Sequence, residues 1–293
     1  MLPLSAFEQV KESRMAHKAP AVFIGHGSPM LALANTEAEK RLAPSERALN
    51  ACYEDGAATS ELHAMGEKLL AGGRPKAILA VSAHWYTPGT RVQTSEDPRQ
   101  VYDMYGFPEE LYRVEYPVAG FPELGQRVLD LDGVNAREDN TWGIDHGIWS
   151  VLVHMFPKAD IPIVEFSVDQ NLTPAQMYDL GEKLATLRDE GIMVLGSGNV
   201  VHNLALTDWR NMKGTEVADS FSDTVRDLVL LRDDEAVINY QKLDNASYAA
   251  PTPDHFAPLL YILGASQGDQ ATVFNDVRNL GSMSMTSFAF GLE

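Results

Sequence analysis

The chain has 293 residues, 45% of them hydrophobic, with a formal net charge of −18 and one cysteine. This size and composition allow one large core, and we expect a single α/β domain. The charge excludes nucleic acids and anionic membrane surfaces as partners, because both bind through basic patches. One cysteine cannot form an internal disulfide or a thiolate metal site, so we expect a cytoplasmic protein.

The N-terminal residues 1–19 mix charged and apolar side chains and lack the continuous apolar core of an export signal. No stretch of the chain approaches the roughly 18–20 uninterrupted apolar residues of a membrane span. We therefore predict an N-terminal arm over residues 1–19 and a single domain over residues 20–293.

Four short apolar runs, rich in valine and isoleucine, predict buried strands at residues 21–25, 77–83, 161–168 and 191–197. Between them, helical patterns cover residues 60–71, 147–156 and 173–190, and the last opens with Thr173 as N-cap before Pro174. The C-terminal third predicts helices at 217–231 and 253–263 and a strand near 283–290. Strands that alternate with helices predict a mostly parallel or mixed sheet, covered by helices on both faces.

One long segment, residues 98–122, is dense in aromatic residues and prolines and has no clear period. We name it the aromatic segment. It predicts either an ordered excursion that walls a pocket or a surface connection anchored by its aromatic side chains.

Three histidines follow predicted strands directly or within a few residues: His26, His84 and His202. Ligands of α/β sheets bind beyond the carboxyl ends of the parallel strands, so these imidazoles are expected to converge. His255 lies at the start of a predicted helix, where it can project into the same crevice. A hydrogen-bonded structural role is the alternative for any one of them, but four in such settings favour a metal site built from imidazoles.

The other four histidines differ in their settings. His146 precedes a predicted helix and is a candidate for substrate contact or acid–base chemistry, with helix capping as the alternative. His154 lies among apolar neighbours and is expected to be a satisfied core residue. His63, in an amphipathic helix, and His17, in the arm, are expected to have no role in the site.

Other chemistries find little support in the sequence. Ser28 lacks the Gly-x-Ser-x-Gly spacing of a nucleophile elbow. The run from Gly196 to Asn199 is too short for a dinucleotide fingerprint, and no P-loop is present. Cys52 has no notable basic neighbour, so we do not expect a catalytic thiol.

Seven separated motifs occur in one order along the chain. Together they closely resemble those of the 4,5-DOPA-type extradiol dioxygenases, which belong to the class III, protocatechuate 4,5-dioxygenase-like, superfamily. The resemblance covers residues 20–291, and its motifs are GHGSP (25–29), SAHW (82–85), YGFPEELYRVEYP (105–117), WGIDHG (142–147), GSGNVVHN (196–203), TPDHFAPLLYILGA (252–265) and SMSMTSF (282–288).

The resemblance implies one catalytic domain over residues 20–293, a three-layer α/β/α sandwich around a mixed, mostly parallel central sheet. It also implies one mononuclear divalent metal bound by His26 and His84, with His255 where classical members have a carboxylate. His202 matches the acid–base histidine and is expected to be a fourth ligand, and His146 matches a catalytic position in the substrate pocket. Fe(II) is implied for activity, while the histidine-rich set favours Zn(II) in the purified protein.

The implied reaction is extradiol cleavage of a DOPA-like substituted catechol with O2 to a muconic semialdehyde-type product. His202, with a pKa expected near neutrality, would take a catechol proton and later return one. Asp103 is expected to meet an amino group of the substrate. The ring is expected to lie against aromatic side chains, namely Trp85, Tyr102, Tyr105, Phe107 and Tyr112.

Two other functions use the same residues. A zinc-dependent hydrolase would generate hydroxide at the histidine site. A binding protein on an inactive scaffold would be expected to have lost ligand positions, whereas all four histidines are present. We expect a small aromatic substrate and O2 as partners, and a monomer or a small homo-oligomer.

Overall fold

A mixed eight-stranded sheet forms the centre of the molecule. The structure is a computed structural model, and it describes residues 18–53 and 55–292. The strand order is β4-β3-β5-β2-β6-β1-β10-β7, and β8 pairs with β9 in a separate hairpin. The strands are β1 (Ala21–Gly25), β2 (Ala77–Thr87), β3 (Arg91–Val92), β4 (Arg137–Glu138), β5 (Ile163–Asp169), β6 (Ile192–Gly198), β7 (Ala271–Phe274), β8 (Arg278–Asn279), β9 (Met283–Ser284) and β10 (Ser287–Phe290).

The four central strands, β5, β2, β6 and β1, are mutually parallel, whereas β10 and β7 pair antiparallel at one side. The helices are α1 (Pro44–Arg47), α2 (Ala57–Gly72), α3 (Pro122–Leu129), α4 (His146–Met155), α5 (Pro174–Leu184), α6 (Thr186–Asp189), α7 (Glu216–Leu231), α8 (Asp234–Ile238), α9 (Ala246–Ala249) and α10 (Ala257–Ser266).

Alternate residues of each central strand face opposite sides of the sheet, as the period of two requires. Phe23 packs in an apolar cluster with α5, α7 and α10, while Val22 and Ile24 pack in a second cluster with α2 and α4. The strands are buried on both faces, which explains why they read as continuous apolar runs. The predicted three-layer α/β/α sandwich with a mixed, mostly parallel sheet is therefore confirmed.

The element boundaries differ from the predicted ones at four places. β2 continues through His84 to Thr87, with an irregular register against β5 between Ser82 and Tyr86. The helix predicted over 173–190 divides at Ala185, and the helix predicted from 253 begins only at Ala257. The strand predicted near 283–290 divides into β9 and β10, which belong to different sheets.

Long-range placement explains these differences. A local apolar pattern cannot distinguish one strand from two short strands that pair with different partners. The predicted arm over residues 1–19 lies outside the described residues except at its last two positions. Among the described residues, no helix is both long enough and apolar enough to cross a membrane.

Candidate active site

Five imidazoles meet at the carboxyl ends of β1, β2 and β6; we name His26, His84, His146, His202 and His255 the imidazole cluster. The ring centroids of His26 lie 4.7 Å from His84 and 5.2 Å from His255, and the ring of His146 lies 4.1 Å from His84. The sequence predicted this convergence for four of them. Its geometry differs in one respect, since His84 belongs to β2 itself, beside the irregularity in its register, rather than to a loop after it.

Backbone hydrogen bonds tie the strand ends together beneath the cluster. The backbone N–H of His26 donates to Gly198 O at 3.1 Å, and Asn199 N–H donates to His255 O at 2.8 Å. A Cβ on Gly198 would lie 2.2 Å from His255 O, so this position requires glycine for the close approach. β1, β6 and the segment before α10 are thereby fixed relative to one another.

Nδ1 forms a hydrogen bond in His26 and His255 and lies beside carboxylates in His84, and the opposite nitrogen of each ring faces the cluster. Nδ1 of His26 lies 2.9 Å from Ser197 Oγ, whose own hydrogen is donated to Gly147 O. Ser197 Oγ therefore accepts from His26 Nδ1–H, which leaves the Nε2 lone pair free. His255 Nδ1 is hydrogen-bonded to Asp254.

His84 is oriented in the same way by two carboxylates. Its Nδ1 lies 3.0 Å from Asp103 Oδ2 and 3.5 Å from Asp145 Oδ1. Carboxylates and hydroxyls that hold the second ring nitrogen are the usual outer partners of metal-binding histidines, because they fix the tautomer and increase the basicity of the ligand.

The Nε2 atoms of His84 and His255 lie 3.3 Å apart. One donor atom from each of His26, His84 and His255 falls within 4.8 Å of the others. Nitrogen lone pairs at these separations require a positive charge between them, from a proton or a metal ion. Three neutral imidazoles suit iron and zinc, so the donor set fits the single divalent metal that the sequence predicted.

His202 occupies a different place from these three. Its ring lies flat on that of His255, with centroids 3.4 Å apart and planes 7° apart. It shares a second possible donor group with Asp254 and His255, separate from the group that contains His26 and His84. A role for His202 as fourth ligand stays a prediction.

His146 is the first residue of α4, and the helix cap is its neighbour Asp145, whose side chain accepts from Gly147 N–H at 3.0 Å. The Nδ1 of His146 lies 2.8 Å from Asp103 Oδ1, which also accepts from His146 N–H at 3.0 Å. Asp103 therefore orients His84 and His146. It also lines the cavity, so its expected contact with a substrate amino group stays a prediction. His84, Asp103 and His146 form a third possible donor group.

Electrostatics divides the imidazoles into two kinds. Burial lowers the pKa of His84, but Asp103 and Asp145 outweigh it and raise this pKa to about 10, so without a metal His84 carries a proton that a bound metal ion would displace. Burial lowers the pKa of His26, and burial together with His255 lowers the pKa of His202 to about 2. His202 is therefore neutral at physiological pH, and its pKa is well below the near-neutral value expected from the sequence.

A buried acid, Glu165, supports the cluster from the middle of β5. Its Oε1 accepts from Asp145 N–H at 3.0 Å. Burial, followed by the charge of Asp145, raises the pKa of Glu165 well above its usual value of 4.5 and so favours the protonated carboxyl. Asp145 and Glu165 were not among the predicted site residues, although a carboxylate inside the apolar run IPIVEFSV was a usable signal.

The cluster forms the floor of a cavity of about 420 Å³. This volume lies within the roughly 300–1,000 Å³ typical of small-molecule sites. A second cavity, of about 460 Å³ beside β3 and α5, contains no member of the imidazole cluster. The cavity of about 420 Å³ is therefore the candidate active site. Besides the imidazoles and residues 27–29, the lining side chains are Asp103, Met104, Tyr105, Phe107, Leu204, Thr207, Trp209, Leu280 and Met283.

The aromatic segment lines this cavity through residues 103–105 and Phe107, which agrees with the first of its two interpretations. Of the predicted aromatic wall, Tyr105 and Phe107 line the cavity, whereas Trp85, Tyr102 and Tyr112 do not. Tyr102 instead donates to Val114 O at 2.7 Å and holds the segment together. Leu204 and Trp209 were not among the predicted site residues, because they lie in an irregular stretch after His202.

The remaining candidates lie outside the site. Nε2 of His154 donates to Leu31 O at 2.8 Å, and His63 is on the exposed side of α2 near Glu67. Cys52 is buried, which raises the pKa of its thiol to about 12 and keeps it protonated. His17 lies outside the described residues.

Comparisons with known proteins agree with this site. A family profile described as the catalytic LigB subunit of aromatic ring-opening dioxygenase matches residues 20–291. A relative from Escherichia coli (strain K12) named 4,5-DOPA dioxygenase extradiol is 38% identical over 281 residues, 94% of this chain and 95% of the relative. A relative of the same name from Beta vulgaris is 34% identical over 274 residues, 92% of this chain and 95% of the relative.

A solved structure leads to the same family. The crystal structure of an uncharacterized protein from Escherichia coli K12 superposes with a TM-score of 0.73 at 36% identity, covering 93% of this chain and 99% of that one. The resemblance seen in the seven motifs is thus confirmed by sequence and by fold. The chain belongs to the LigB family of aromatic ring-opening dioxygenases.

Proposed function

We propose that this enzyme cleaves the ring of a substituted catechol outside its two hydroxyls, with O2, at one divalent metal held by His26, His84 and His255. The observation that carries the proposal is the three Nε2 atoms that face one another, each with its Nδ1 held by an outer partner. LigB-type dioxygenases are metal-dependent, and the extradiol relatives share most of the length of this chain.

Fe(II), held by His26, His84 and His255, would supply the redox chemistry by which O2 reacts with the catechol ring. The protein supplies position and proton transfer. A ring nitrogen of neutral His202 accepts a hydroxyl proton and returns it to the product. His146, whose Nδ1 is held by Asp103, presents Nε2 to a substrate oxygen.

Both atoms of O2 enter the product, a muconic semialdehyde-type acid. The relatives are named for DOPA, a substituted catechol, which supports a substituent on the ring of this enzyme's substrate. We expect Zn(II) in the purified protein. The zinc-dependent hydrolase gains no support from the dioxygenase relatives. We also propose that residues 20–293 act as one catalytic domain, supported by the match over residues 20–291, and that the protein is a monomer or a small homo-oligomer.

The first test is oxygen uptake. Protein purified without oxygen and loaded with Fe(II) should consume O2 with a simple catechol and give a yellow product, whereas zinc-loaded protein should not, since zinc has no redox chemistry. His26→Ala and His84→Ala should abolish uptake. A failure to consume O2 across a catechol panel, with iron verified in the site, would reject ring cleavage and favour the hydrolase.

The acid–base role of His202 has its own test. His202→Gln keeps the shape of the side chain but not its proton transfer, so kcat should fall by about 100-fold or more while bound iron stays near one per chain. His63→Gln, on the exposed side of α2, is the matched control and should keep the wild-type rate. A full rate in iron-loaded His202→Gln protein would rule out this role.

A further inference from the structure

Six of the side chains that line the active-site cavity are large and apolar. Three parts of the chain carry them: the aromatic segment, the stretch after His202, and the β8–β9 hairpin. We name these side chains the apolar wall, and it consists of Met104, Phe107, Leu204, Trp209, Leu280 and Met283.

The apolar wall is held by backbone hydrogen bonds. Asp208 N–H donates to Leu280 O at 3.0 Å, and Leu280 N–H donates to Asn211 O at 2.8 Å, so the stretch after His202 is tied to the hairpin. Leu280 has a φ of 54°, in the left-handed region that a bulky residue seldom adopts. Such backbone strain clusters at sites where a side chain must hold one position, and here it places leucine on the cavity surface.

Two members of the wall remain open to solvent. Leu204 is 65% exposed and Trp209 is 37% exposed. Trp209 contacts Phe107 edge to face, with ring centroids 6.3 Å apart, and both rings border the cavity. When a ligand covers exposed apolar surface beside a site, removal of that surface from water makes the binding free energy more favourable.

Among the described residues, no lysine or arginine lines the cavity beside the apolar wall. Within residues 18–53 and 55–292, the charged side chain that lines it, apart from the imidazoles, is Asp103. The nearby Arg210 is 95% exposed and lies 3.7 Å from Asp208, away from the lining. A substrate carboxylate placed against the apolar wall would thus leave water without gaining a cationic partner there, at an energetic cost.

We infer that the preferred substrate is a catechol whose ring substituent at position 4 is uncharged and apolar, and that this substituent lies against the apolar wall. The inference rests on the proposed ring cleavage. It restricts the preferred substrates to catechols with an apolar substituent, in contrast to DOPA, whose side chain is charged. Leu204 and Trp209, at the open end of the wall, determine this specificity.

The test compares two substrates of equal length, 4-propylcatechol and 3-(3,4-dihydroxyphenyl)propanoate, which differ by a methyl group against a carboxylate. The ratio of their kcat/KM values, measured by O2 uptake on iron-loaded enzyme, should favour 4-propylcatechol by about tenfold or more. L-DOPA should also be slower than 4-propylcatechol.

Two variants test the wall itself. Leu204→Arg places a cation at the open end and should reduce this ratio by about tenfold, while Trp209→Ala should lower kcat/KM for 4-propylcatechol more than for unsubstituted catechol. Leu231→Arg is the matched control, because Leu231 is 78% exposed on α7 and does not line the cavity; its ratio should equal that of the wild type.

The outcomes separate this inference from the proposed function. Cleavage of catechol with equal or reversed preference within the pair would overturn the inference and leave ring cleavage standing. Cleavage of no catechol by iron-loaded enzyme would reject both. A further outcome is that sedimentation shows a dimer for the wild type and a monomer for Leu204→Arg, with the kcat/KM ratio of the two substrates unchanged. That result would show that a second copy of the chain covers the apolar wall, and it would also overturn the inference.

Discussion

At the scale of single residues, the outer partners of the histidines determine what the site can hold. Ser197, Asp103 and Asp254 each engage an Nδ1 atom and turn the opposite nitrogen inward. The sequence predicted the histidines, because each is next to a recognisable apolar run or helix start. It did not predict the pairing of Ser197 with His26 or of Asp103 with His84, since those contacts join residues far apart in the chain.

The raised pKa of the buried Glu165 carboxyl gives a prediction about pH and stability. Above its usual pKa of 4.5, Glu165 ionises in the unfolded chain but not in the folded one, where burial raises its pKa. The unfolded state then binds fewer protons, so stability is lost as pH rises from 4.5 towards the folded pKa. Glu165→Gln should remove this loss, which amounts to at most about 1.4 kcal/mol per pH unit.

Urea unfolding of metal-free protein between pH 5 and pH 8 measures this effect. The free energy of unfolding of Glu165→Gln, relative to wild type, should increase with pH. Glu67→Gln, on the exposed side of α2, is the control and should follow the wild type. The same pH dependence in Glu165→Gln and wild type would show that Glu165 is not held protonated.

At the scale of elements, parallel strands deliver residues to one edge of the sheet, and this much follows from the apolar runs. The exact start of α10 and the extension of β2 through His84 did not follow, because both depend on packing against β6 and β5. Gly198 is where these elements meet. Its backbone contacts explain why a glycine stands at the end of β6.

Gly198→Ala should weaken the metal site. The new Cβ would lie 2.2 Å from His255 O, so the segment that carries His255 must move. We expect metal affinity to fall by about tenfold or more, measured by competition with a chelator. Gly264→Ala is a matched control, since its Cβ would lie 2.1 Å from Tyr178 O, away from the cluster; it should lower Tm but keep metal affinity. Equal affinity in both variants would contradict this account of Gly198.

At the scale of the whole molecule, the motifs and their order were sufficient to predict the family and the three-layer fold. The imidazole cluster is assembled from parts of the chain as distant as His26 and His255, so it exists only when the whole sheet is formed. The apolar wall could not be predicted in this way, because Leu204, Trp209 and Leu280 carry no local pattern and meet only through the β8–β9 hairpin.

The most direct measurement of the central claim is anomalous X-ray diffraction at the iron edge from crystals loaded with Fe(II) without oxygen. We predict one peak about 2.1 Å from the Nε2 atoms of His26, His84 and His255. A peak held instead by Asp103 and His146 with His84, or by His202 with Asp254, would contradict the proposed metal site.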